Sequence, residues 1–162
     1  MKLLKQHGLL LVVGLLVLGL LSFGVYQANN QPLQTINLPI VENCQLESTA
    51  CVAKLPNGGE VKFEITPKNA KPTQTLELDL QAKQVDIDSV KVKFDGKTMN
   101  MGFLEYNLKP KDSKDETAYF NGQGGLSVCI RGKMDWVVTV KIQIDNKLYN
   151  IPFSMDTYYF GG

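Results

Sequence analysis

From Val61 to Phe153 the chain repeats one pattern, in which apolar and polar residues alternate over short stretches divided by turn signals. A β-strand sends successive side chains to opposite faces, so this alternation gives each segment one face to bury and one to leave in water. Val61-Lys62-Phe63-Glu64-Ile65 alternates strictly and follows the turn signal Pro56-Asn57-Gly58-Gly59. Thr75 to Leu80 alternates again, and Val85 to Phe94 does so up to the turn signal Asp95-Gly96. Phe103–Leu108, Ala118–Phe120, Leu126–Ile130, Trp136–Ile144 and Lys147–Phe153 continue the series, with Asp145-Asn146 as a hairpin turn between the last two. No window after Cys44 carries a helical period with caps.

These segments predict an all-β fold. Seven to nine short strands in about 110 residues is the number an immunoglobulin-like β-sandwich uses, with Trp136 packed in its core beside Val138 and Val140. A different signal precedes it. Gly8 to Tyr26 holds no charged residue and follows Lys2 and Lys5. Such a run reaches the roughly 18 to 20 residues that cross a bilayer as a helix, and the lysines place its N-terminal end in the cytoplasm. Residues 1–26 therefore read as a membrane anchor or a signal segment, and Ser22-Phe23-Gly24 offers a cleavage point near Gly24 if the segment is removed. Residues 27–43, with Pro32 and Pro39, read as an extended tether, and residues 44–162 as the exported β-domain.

Composition excludes more than it identifies. Of the 17 basic and 16 acidic residues, Lys2 and Lys5 lie in the leader, so the remainder is almost neutral and lacks the clustered basic face of a nucleic-acid binder. The single histidine is His7. Without one in the domain, Ser-His-Asp and Cys-His catalysis and the usual zinc sites are absent, and the chain reads as a protein that is not an enzyme. Cys44 and Cys51 enclose a short polar segment and are most simply a local disulfide in an oxidising compartment. Cys129 is left over, and a bond from it to either of the other two is the alternative pairing.

Four sulfur residues form the candidate site. Met99 and Met101 are two apart, so an extended chain would present both thioethers on one side. Cys129 and Met134 flank a second loop that could complete a set of soft donors suited to Cu(I). Methionine also fills gaps in cores, and packing against Trp136 or Phe103 is the competing explanation.

Met99-Asn100-Met101-Gly102-Phe103, Leu126-Ser127-Val128-Cys129-Ile130, Met134-Asp135-Trp136 and Ile151-Pro152-Phe153 occur in an order that resembles a group of small membrane-anchored proteins of Gram-negative bacteria. The pattern is similar, more distantly, to the FixH and YtkA-like families, over about residues 94 to 154. The resemblance implies a periplasmic domain on a single inner-membrane anchor, linked to copper handling or to assembly of copper-containing oxidases. It matches Met99 and Met101 to the family's Met-x-Met and Cys129 to the cysteine before the tryptophan strand. The expected partners are the inner membrane and a membrane or periplasmic protein such as an oxidase subunit; the alternative is a metal-free structural or protein-interaction module of the envelope.

Overall fold

The computed structural model describes residues 14–26, 32–114, 116–127 and 132–158. Two compact units divide the chain between Leu33 and Gln34. In the first, residues 14–26 are helical and their apolar side chains, such as Leu15, Leu20 and Phe23, are exposed. Among the described residues no helix is long and apolar enough to cross a membrane, and residues 8–13 of the apolar run lie outside them.

The second unit is built of strands β1 (Gln34–Asn37), β2 (Cys51–Lys54), β3 (Glu60–Thr66), β4 (Leu76–Lys83), β5 (Ser89–Gly96), β6 (Leu104–Lys114), β7 (Thr117–Gly124), β8 (Lys133–Ile144) and β9 (Lys147–Tyr158). They form one mixed sheet in the order β1-β9-β8-β5-β6-β7-β4-β3-β2, in which, among the described strands, β1 and β9 pair in parallel and the other pairs are antiparallel. The sheet curls because β6 belongs to both halves. Its residues Leu104 to Leu108 pair with β5, and Lys109 to Lys111 pair with β7. A Cβ on Gly122 of β7 would come within 2.8 Å of the Asn107 carbonyl oxygen, so the missing side chain permits the close approach at the bend.

Period-two burial follows from the curl. Along β8, Met134, Trp136, Val138, Val140 and Ile142 are buried while the residues between them are not. Phe63 of β3 and Phe153 of β9 stand with ring centroids 6.0 Å apart, so the two halves face one another across a shared core. Both rings are fully buried, each worth about 1.5 to 3 kcal/mol by area.

The two ends of this sheet are clasped. Beyond β1, the Leu38 N–H donates to Asn150, the Val41 N–H to Pro152, and Gln45 bridges to Ser154, so the chain follows β9 as far as the cysteines. It then crosses to β2, and the Cys44–Cys51 disulfide spans the crossing. Leu46 is fully buried there; Glu47 accepts from the Asp156 N–H through its carboxylate and from the Asn69 N–H through its carbonyl.

Several sequence expectations are corrected. The segment assigned to the tether joins the β-unit from Gln34 onward, because the outer edge of β9 needs backbone partners and Leu38 and Val41 supply them on either side of Pro39. The strand expected from Val85 starts at Ser89; the positive φ at Gln84 ends β4, and residues 85–88 connect it to β5 outside either strand. Leu126 and Ser127 are not in a strand, and residues 128–130 lie outside the described chain. The clasp makes a stability prediction: Cys44→Ala/Cys51→Ala should lower unfolding stability by about 2 to 3 kcal/mol, read from the urea midpoint under oxidising conditions.

Candidate thioether site

The site lies where β5 ends and β8 begins. Gly96 is the last residue of β5 and is in register with Trp136; one residue on, the Lys97 N–H donates to the Asp135 carbonyl over 2.9 Å. The chain then leaves the sheet as a loop over residues 97–103. The Asn100 side-chain oxygen accepts the Gly102 N–H over 2.9 Å, and Gly102 takes φ +85°, a conformation that favours glycine. This turn folds Met99 and Met101 back against the core, half-buried, and leaves Phe103 79% exposed.

Met134 is the first buried side chain of β8, 3% exposed, on the same face as Trp136. It meets the loop beside Gly96. A Cβ at Gly96 would sit 3.0 Å from Met101 Cγ, and Met134 Cε lies nearer still. The side chains of Met101 and Met134 therefore converge on one point, while Met99 contributes its backbone oxygen there. The Ser127 hydroxyl donates to the Met101 carbonyl over 3.1 Å and ties the chain after β7 to the loop. Cys129 lies outside the described residues.

In the sequence Asp95-Gly96 reads only as a turn signal, and Ser127 and Met155 carry no mark of their place at the site. Met155 is 2% exposed and opposite Trp136, so Met99, Met101, Met134 and Met155 all pack against the one core cluster. Contacts among residues from four separate segments left no local signature beyond the methionines themselves. The Trp136 indole N–H, buried among them, donates to the Thr157 hydroxyl over 2.9 Å.

Charge surrounds the site on its outer side. The Lys133 ammonium lies 2.9 Å from Asp135 and 3.0 Å from Asp156. Hydrogen bonds to Asp135 and then Asp156 hold Lys133 above its ordinary pKa, and the bond from Lys133 holds Asp135 below the usual carboxylate range. Among the described residues no three His, Cys, Asp or Glu side chains gather as a metal site. The side chains that meet here, through Met134 Cε and Met101 Cγ, each carry a thioether, a soft and neutral donor type that suits Cu(I) better than hard divalent ions. No family model, curated protein or solved structure matches this chain.

Two predictions test this account. Thr157→Val keeps the shape but leaves the indole N–H without its acceptor, and should cost about 1 to 3 kcal/mol in urea unfolding. The Asp135 contribution is present above the unfolded carboxylate pKa near 4 and is lost as pH falls through its lower folded value. The stability gap between wild type and Lys133→Gln should therefore be present at pH 7 and close towards pH 2, since Lys133 itself stays charged throughout that window.

Proposed function

We propose that this chain is a membrane-anchored binding or assembly protein of the bacterial envelope, which holds Cu(I) through thioether sulfur and passes it to a membrane or periplasmic partner such as an oxidase subunit. The observation that carries this reading is the convergence of Met101 and Met134 beside Gly96. Met99 packs next to them, and Cys129 follows Ser127, the anchor of Met101, by two residues in the sequence. The donor type fits the ion: Met101 and Met134 bring two neutral thioether side chains to one place, and thioether sulfur favours a soft monovalent cation.

Export fits the Cys44–Cys51 disulfide, which belongs to an oxidising compartment, and the uncharged run from Gly8 to Tyr26 supplies the anchor or, if cut near Gly24, the signal segment. In this reading the curled sheet is an immunoglobulin-like sandwich that carries the methionines at one end. Its role is to present a site rather than to catalyse a reaction. Transfer would proceed by ligand exchange, with the half-buried Met101 and Met99 yielding to a partner's donors before the buried Met134 does.

A metal-free interaction module is the second reading, favoured by Phe103, which the 97–103 turn holds in water beside the site. Anaerobic Cu(I) competition against a chromophoric chelator separates the two. The reduced full chain should bind stoichiometrically, and Met101→Leu and Met134→Leu, which preserve volume, should each weaken binding by about tenfold or more while leaving the urea midpoint within about 1.5 kcal/mol. No binding by the wild type would overturn the copper reading.

A further inference from the structure

Gly96 is not one of the glycines with positive φ, so its own backbone does not require glycine. What requires it is space. A Cβ there would lie 2.5 Å from the Met99 carbonyl oxygen and 3.0 Å from Met101 Cγ, inside ordinary contact distance, with Met134 Cε closer again. The Met134 methyl could swing aside; the Met99 oxygen is backbone and can move only if the loop moves. Among the described residues, the Lys97 N–H donates to the Asp135 carbonyl at the start of the loop and the Ser127 hydroxyl to the Met101 carbonyl near its end. Beneath it Met134 is 3% exposed.

We propose that residues 97–103 form a cover seated on Met134 through the bare α-carbon of Gly96, and that Gly96 is the positioning residue that brings Met101 and Met134 together. The seating stands on geometry alone; its purpose, closing a thioether site, rests on the copper reading above. Any side chain at position 96 lifts the cover, separates the Met101 and Met134 side chains and admits water to Met134. Ser127 is the second fastening, because it holds the carbonyl of the methionine that the cover carries.

Peroxide oxidation reads the cover without any metal. Hydrogen peroxide transfers one oxygen atom to the thioether sulfur and leaves as water, so a sulfoxide on Met134 records exposure of that sulfur. In the full chain, Gly96→Ala should raise the rate of Met134 sulfoxide formation by about tenfold, measured by peptide mass, with Trp136 emission unchanged. It should also lose Cu(I) affinity to about the extent that Met101→Leu does. Ser127→Ala adds no atom and should raise Met134 oxidation by about fivefold through loss of one hydrogen bond, which keeps the test decisive if Gly96→Ala does not fold. Wild-type oxidation rates at Met134 in the folded variants would overturn the cover. Faster oxidation in both, with no Cu(I) bound by the wild type, would uphold the cover and overturn the copper reading.

Discussion

The architecture depends on β6, which pairs with β5 over its first residues and with β7 over the next. A strand in a flat sheet keeps the same neighbours along its length, and the sheet then has two open faces to cover. By changing register partners at Leu108 and Lys109, β6 turns the sheet over, and the apolar faces of its two halves cover each other. Phe63 on Phe153 is the direct mark of that closure. Gly122, where a side chain would strike the β6 backbone, is the local condition for it.

Curling leaves two sheet edges, and the chain manages them with the segment that precedes β2. Residues 34–45 satisfy the β9 edge by backbone pairing, and the crossing that follows is fixed by a buried Leu46, by Glu47 bonds to both halves and by the disulfide. A short crossing held by a covalent link restrains the unfolded chain as well as the folded one. The N-terminal part of the β-unit is thus a fastening between halves rather than a spacer.

At the end of the core where β5 and β8 meet, methionine serves packing and offers chemistry with the same atoms. Its side chain is unbranched and adapts to irregular space, and its sulfur stays a competent soft donor while contributing apolar surface. Burial of Met134 and half-burial of Met99 and Met101 are therefore compatible with both uses. The difference lies in whether the loop can move, and that turns on Gly96 and Ser127.

Much of the β-architecture was legible because period-two alternation is local: Val61–Ile65, Thr75–Leu80 and Trp136–Ile144 each carry their inward face in their own order of residues. The hairpin at Asp145-Asn146 was legible for the same reason. β1 and the run to Gln45 were not, since Gln34–Asn37 has no strong alternation and becomes a strand only because β9 offers it an edge. By itself the sequence determined the inward faces of the alternating strands and the sulfur-rich character of one loop, and it favoured the Cys44–Cys51 pairing without fixing it, because these features depend on neighbouring residues. Only the tertiary structure decided that the sheet is continuous and curled, that the disulfide clasps its ends, and that Met101 meets Met134 over a glycine. Those contacts join residues far apart in the chain, and their energies exist only once the core has closed.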